Sequence, residues 1–274
     1  MKLTSKMSLV ALLAAGVLPA LGAAPAGAAG DTTAPALSLD AAPHYVTGSQ
    51  VATAYDAETG RMEYWELDLA LRWTTSDASG ICGQAVTERS YDTLGGDQDA
   101  VLGSDTVAYE QAPEARRYAF RSNLFNDERG PGSFVVRSTD CAGNTSTSEV
   151  ARTGVGFVED SSSRVTYRGA WKTAKFSGFS GGSTHYATAA GARATTTVEG
   201  GAVALVMEKA SNRGAADVLV DGVRKATVNT YAATTTHRAV VWEAVLSPGT
   251  HTITVVNKAT PGHPRIDLDL VLAQ

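Results

Sequence analysis

Asp217-Val218-Leu219-Val220-Asp221-Gly222-Val223-Arg224-Lys225-Ala226-Thr227-Val228 is the stretch that decides the fold class. An Asp-Gly pair between apolar runs favours a type I′ hairpin turn, because glycine tolerates positive φ. Two antiparallel strands are therefore expected here. The same pattern extends outward. Ala239-Val240-Val241-Trp242-Glu243 and His251-Thr252-Ile253-Thr254-Val255-Val256 read as a second strand pair around Ser247-Pro248-Gly249-Thr250. Ile266-Asp267-Leu268-Asp269-Leu270-Val271-Leu272 places Asp267 and Asp269 on one face and the aliphatic residues on the other. Far upstream, Leu67, Leu69, Leu71 and Trp73 alternate with Asp68, Ala70 and Arg72, the period of a half-buried strand. Tyr118, Phe120 and Phe134-Val135-Val136 supply further strand centres. Turn-forming clusters separate them at 76–80, 95–97, 127–132 and 140–144. Both regions read as all-β, each an antiparallel sandwich.

Composition bounds the function. The 274 residues carry 23 Lys+Arg against 28 Asp+Glu, a formal net charge of −5. An acidic balance argues against a general binder of nucleic acid or of anionic membranes, both of which require a basic surface. A hydrophobic content of 43% excludes a disordered chain. Two cysteines are too few for a cysteine-based structural zinc site or a disulfide-rich miniprotein.

Lys2 and Lys6 precede an apolar run from Met7 to Leu21, which gives way to Ala26-Gly27-Ala28-Ala29. This is the arrangement of a cleaved secretory signal peptide over residues 1–29, and the apolar run is shorter than a membrane span. A secreted, extracellular protein without a membrane anchor is expected. In an oxidising compartment Cys82 and Cys141 are expected to form a disulfide, since they lack a Cys-x-x-Cys spacing or nearby histidines.

The mature chain divides near residue 156, with a polar linker expected at Val158-Glu159-Asp160-Ser161-Ser162-Ser163. In residues 30–155, three stretches resemble bacterial immunoglobulin-like domains: Asp31-Thr32-Thr33-Ala34-Pro35, Trp73 to Ile81 and Ser138 to Asn144. Stretches 40–65 and 92–112 depart from that pattern. In residues 156–274 the order of pieces resembles a jelly-roll module of secreted actinobacterial proteins, of galactose-binding-like or carbohydrate-binding-module type. Those pieces are Tyr167 to Trp171, Phe179 to His185, Lys209 to Gly214, Val220-Asp221-Gly222, Pro248 to His251 and Arg265-Ile266-Asp267. The resemblance implies a sandwich fold and a tendency to bind glycans, although a jelly roll alone does not fix a ligand.

Sugar recognition needs a flat aromatic face for the ring and planar polar groups for the hydroxyls. The candidates are Trp171, Tyr186 and Tyr231, with Lys209, Asn212, Arg213 and Asp267 as polar partners. Trp242, within Val240-Val241-Trp242, reads as core. Gly178-Phe179-Ser180-Gly181-Gly182 formally fits a nucleophile elbow, but no helical pattern follows it. Asp97, Asp99 and Asp105 read as solvated turn acids without the full calcium-loop spacing. The five histidines are scattered and give no metal-ligand spacing. No catalytic residue, cofactor or metal ligand is nominated; a structural calcium in the second region stays open. The leading expectation is a secreted non-catalytic protein that binds a cell-wall or environmental glycan. The alternatives are an adhesive surface protein with a secreted protein partner and, last, a hydrolase using Ser180.

Overall fold

The computed structural model describes residues 30–55, 62–93, 101–123, 132–152 and 154–274. The expected signal peptide and the turn acids Asp97 and Asp99 lie outside them.

The described chain is all-β, built from antiparallel sheets. In the first region β1 (Ala36–Leu39), β2 (His44–Tyr45) and β3 (Ala52–Tyr55) pair with the long β4 (Met62–Ser76). A second sheet begins with β5 (Ile81–Thr93) paired to β6 (Val101–Gln111). Next in sequence, β7 (Arg117–Asn123) returns to β4, and β8 (Gly132–Asp140) and β9 (Thr145–Arg152) complete the second sheet, whose order is β6-β5-β8-β9. The alternation on β4 works as its sequence dictates: Leu67, Leu69, Leu71 and Trp73 are all buried. Leu71 and Trp73 pack against Val86, Phe134, Val136 and Val150 from the facing sheet. Burying an aliphatic side chain of this kind contributes about 2 kcal/mol. Trp73 Nε1 donates to Gln84 Oε1 at 2.6 Å, and the Gln84 amide donates to the Pro113 and Ala115 carbonyls at 2.5 and 2.8 Å. The buried indole N–H and the Gln84 amide are thereby satisfied.

The turn motifs are capped by their own acids. Asp77 Oδ1 accepts from the Ser79 backbone and hydroxyl, and Asp140 Oδ1 accepts from the backbone of Ala142 and Asn144. Cys82 and Cys141 join these two turn regions in a disulfide, with a Cα–Cα distance of 4.8 Å and a sequence separation of 59.

The second region opens with β10 (Gly156–Glu159) and β11 (Thr166–Arg168), followed by β12 (Trp171–Lys175) and β13 (Ser183–Ala187). Then come β14 (Arg193–Lys209), β15 (Ala215–Val220), β16 (Val223–Asn229), β17 (Thr236–Asn257), β18 (Ile266–Leu268) and β19 (Leu270–Ala273). One sheet has the order β10-β19-β14-β17-β15-β16, with β11 also on β14. The facing sheet is β12-β13-β18. At the β15–β16 hairpin Val220 opposes Val223, and Asp221 and Gly222 both take positive φ (51° and 78°), as a type I′ turn requires.

Three expectations are corrected. Ser247 to Thr250 is not a hairpin turn: β17 runs through it, and both halves pair with β14 instead of with each other. Opposite Gly201, β17 inserts residues 246–248, so the Pro-Gly signal marks a bulge in a long strand. Residues 158–163 are not a free linker, because β10 pairs with β19 and Val158 and Asp160 are buried. Nor do the aliphatic residues of 266–272 share one face. At Asp269 the chain passes from the small sheet to the large one, and Leu268 and Val271 enter a different core from Leu270 and Leu272.

The large sheet is apolar on both faces. Val203, Leu205 and Met207 of β14 face the second region's own core, together with Trp242 and Ile253. Ala202, Ala204 and Val206 face the other way and pack with Leu270 and Leu272 against Tyr45, Val51, Leu67 and Leu69 of the first region. This explains the unbroken apolar run on β14.

Candidate functional site

Three loops meet at one end of the second region. The 209–214 loop bridges to Tyr231 through Ala210 and to Arg265 through Arg213. The Gly214 backbone N–H donates to the Arg265 carbonyl at 2.9 Å, and Thr230 N–H donates to the Gly214 carbonyl at the same distance. Thr260 closes the third loop, its hydroxyl accepting from Ala215 N–H at 2.9 Å. Backbone bonding of this density makes the loops one rigid rim.

Tyr231 is 46% exposed on this rim, and its ring centroid lies 4.9 Å from that of His263 in an edge arrangement. Asn212 is exposed on the loop bridged to Tyr231, and Lys209 is half-buried at the end of β14. Tyr186 on β13 lies in register with Asp267, and the Arg265 guanidinium sits 3.9 Å above its ring.

Arg213 and Asp267 do not face solvent as sugar-contacting groups would. Both are buried, and Arg213 is ion-paired to Asp267 and to Glu208. Arg265 also donates to Asp267 Oδ1, at 2.9 Å from Nε. Burial pushes the Asp267 carboxyl up, and the two arginines oppose that shift. A buried guanidinium needs such partners, so these residues hold the rim in place. Trp171 is likewise committed elsewhere. It packs on Tyr167 with centroids 5.0 Å apart, and its Nε1 donates to the Arg168 carbonyl at 3.2 Å. Trp242 is core, as its sequence context indicates. Of the nominated aromatics, only Tyr231 and Tyr186 join the rim. His263 and Arg265 belong to it and carried no sequence signal beyond their nearness to Asp267.

A second constellation was not legible in the sequence. Glu159 ends β10 and Asp160 follows it, Asp269 lies between β18 and β19, and carboxylate oxygens of all three lie within 4.8 Å of one another. Ser180 links them: its backbone N–H donates to Asp269 Oδ1 at 2.9 Å and its hydroxyl to Glu159 Oε1 at 2.6 Å. His185 Nδ1 is 2.5 Å from Asp160 Oδ2. One oxygen of each acid (Glu159 Oε2, Asp160 Oδ1 and Asp269 Oδ2) is buried without a hydrogen-bond partner. Burial, reinforced by the neighbouring acids, pushes Asp269 up to about 8, and burial also raises Glu159 and Asp160. Converging unpartnered carboxylate oxygens are the donor set a hard divalent cation such as calcium takes, so the residues present fit one.

Ser180 is 2% exposed and lies in a short 3-10 turn, Ser180–Gly182, with its hydroxyl committed to Glu159. The strand-to-helix elbow that would activate it is not formed there.

No protein-family model matches the chain, and no curated protein does. Among solved structures, similarity extends to the catalytic domain of a GH87 alpha-1,3-glucanase in complex with nigerose, at 20% identity over 44% of this chain and 28% of that one, TM-score 0.34. It extends also to a family two carbohydrate esterase from Cellvibrio japonicus (15% identity, 44% of this chain, 33% of that one, TM-score 0.32). A family 35 carbohydrate binding module from Clostridium thermocellum is similar at 16% identity over 43% of this chain and 98% of that one, TM-score 0.35. The chain spans 28% of the length of the glucanase it matches.

Proposed function

We propose that this is a secreted, non-catalytic protein that binds carbohydrate on the rim formed by loops 209–214, 229–232 and 258–265. The observation that carries the reading is Tyr231. It is a half-exposed aromatic face held by backbone bonding, with His263 at its edge and Asn212 on the adjoining loop. Such a face accepts the apolar side of a sugar ring while the amide and imidazole serve hydroxyls. On this reading the second region is a jelly roll, with its boundary at 156. The first is an immunoglobulin-like sandwich, a reading supported by β1, β4 and β7 sharing one sheet and β6-β5-β8-β9 forming the other.

Glu159, Asp160 and Asp269 would hold a structural calcium. When bound, the ion supplies charge neutralisation for three converging acids. The chain's own residues then fix Ser180 and the turn that joins the two sheets. Ser180 takes no part in hydrolysis here.

The test is a glycan array and polysaccharide pull-down with the full chain, with calcium and after chelation. The full chain is required because residues 156–274 alone would expose the apolar face that packs on Tyr45, Leu67 and Leu69. Binding that is lost in Tyr231→Ala supports the reading. Absence of binding across wall and plant polymers in both conditions overturns it. Capture of a secreted protein insensitive to competing sugars would favour an adhesive role instead.

A further inference from the structure

His44 uses both of its ring nitrogens, one within the first region and one across to the second. Its backbone belongs to β2, paired with β4 of the first region. Its Nε2 lies 2.7 Å from Oδ2 of Asp40, in the segment between β1 and β2. Its Nδ1 lies 3.0 Å from Oε2 of Glu243, which belongs to β17 of the second region. Arg72 on β4 is the other charged group at this contact, with Nη1 3.6 Å from Glu243 Oε1. His44 is buried, with 11% of its side chain exposed, and Glu243 is half-buried with 12% of its side chain exposed.

The donor count fixes the protonation state this geometry needs. An ionised carboxylate only accepts hydrogen bonds. A neutral imidazole carries a single N–H, so it satisfies one carboxylate and turns a lone pair towards the other. The imidazolium carries two N–H groups and satisfies both. We infer that His44 is a proton-operated clamp, fastening segment 40–51 of the first region to β17 when charged and loosening it when neutral. The segment it secures carries backbone bonds across the seam. Gly48 N–H donates to the Val240 carbonyl at 2.8 Å, Val51 N–H to the Arg238 carbonyl at 2.9 Å, and Val240 N–H to the Ser49 carbonyl at 2.9 Å. The apolar contacts of Tyr45, Val51, Leu67 and Leu69 with the large sheet do not titrate, so the release is local and the two regions stay together.

The charge environment agrees with the geometry. The hydrogen bond with Glu243 raises the His44 pKa, with a smaller contribution from Asp40, against the opposing effects of burial and of Arg72. A histidine whose folded pKa is raised stabilises fully below its unfolded value of about 6.5, and the contribution is lost as pH rises through the folded value.

Residue-resolved hydrogen exchange on the full chain between pH 6 and 9, corrected for intrinsic rates, reads the clamp. Protection of the Gly48, Val51 and Val240 amides is expected to be lost progressively as pH rises across that range in the wild type. In His44→Gln, whose amide does not titrate in this range, protection is expected to be lower and flat with pH. Protection that is independent of pH in the wild type, or that changes equally in both proteins, overturns the inference. Ring nitrogen chemical shifts of wild-type His44 give a reading that needs no variant. Two protonated nitrogens at pH 7 support the clamp, and a ring already neutral at pH 6.5 refutes it.

Discussion

A Cβ placed on Gly214 would fall 2.0 Å from the carbonyl oxygen of His263. That contact is closer than any side chain tolerates, so Gly214 lets two loops of the rim touch backbone to backbone. Gly214→Ala should force the 258–265 loop away and destabilise the protein by about 3 kcal/mol. Urea denaturation of the variant against the wild type measures this. Unchanged stability would mean that the loops are not locked together.

Tyr231 answers a different question, because it is exposed. Tyr231→Ala should leave the melting temperature near that of the wild type, since exposed substitutions change stability by about 0.5 kcal/mol or less. Glycan affinity should drop about tenfold, the equivalent of ~1.4 kcal/mol for a lost stacking face. Thermal melting and affinity measured on one preparation separate the two effects.

The acids at Glu159, Asp160 and Asp269 carry a signed pH dependence. Burial raises the Asp269 pKa to about 8 without a cation, above an unfolded value near 3.9. The folded state therefore holds a proton that the unfolded state has lost. The resulting stability is complete below about pH 4 and is lost as pH rises through 8. Calcium should raise the melting temperature most near and above pH 8, where the acids are ionised and uncompensated. Asp269→Asn should be more stable than the wild type in chelator at pH 8, yet respond less to calcium. Calorimetric melting across pH, with and without the ion, checks both signs.

Arg213 sits buried between Glu208 and Asp267. Arg213→Met should cost about 3–5 kcal/mol, because it removes the buried cation that Glu208 and Asp267 share, leaving Asp267 only Arg265 and Glu208 only His237. Replacing Cys82 and Cys141 with serine should cost about 4 kcal/mol by releasing a loop of 59 residues in the unfolded chain. Denaturant midpoints report both changes, and a shift below 1 kcal/mol in either would contradict the assigned role.

Local chemistry was legible where neighbours in sequence are neighbours in space. The type I′ turn at Asp221-Gly222, the buried alternation on β4 and the capping acids Asp77 and Asp140 all follow from short-range rules. The acid cluster was not legible, because Glu159 and Asp269 come together only when β10 and β19 pair. Ser247-Pro248-Gly249 misled for a related reason. Turn chemistry cannot register that β14 lies alongside both halves of β17 and holds them in line. Arg213 and Asp267 read as polar surface groups because a sequence shows charge without its partner. Tyr231 was found as an aromatic among polar residues, but its exposure depends on the bridge to Ala210.

The account rests most heavily on a sugar lying against Tyr231, and a chemical-shift titration of the full chain with the oligosaccharide selected from the array tests that contact directly. The predicted result is saturable shifts of the Tyr231 ring together with the amides of 210–214 and 262–265, while the outer strands of the first region stay unmoved. Saturable shifts that leave Tyr231 and those two loops untouched would contradict it.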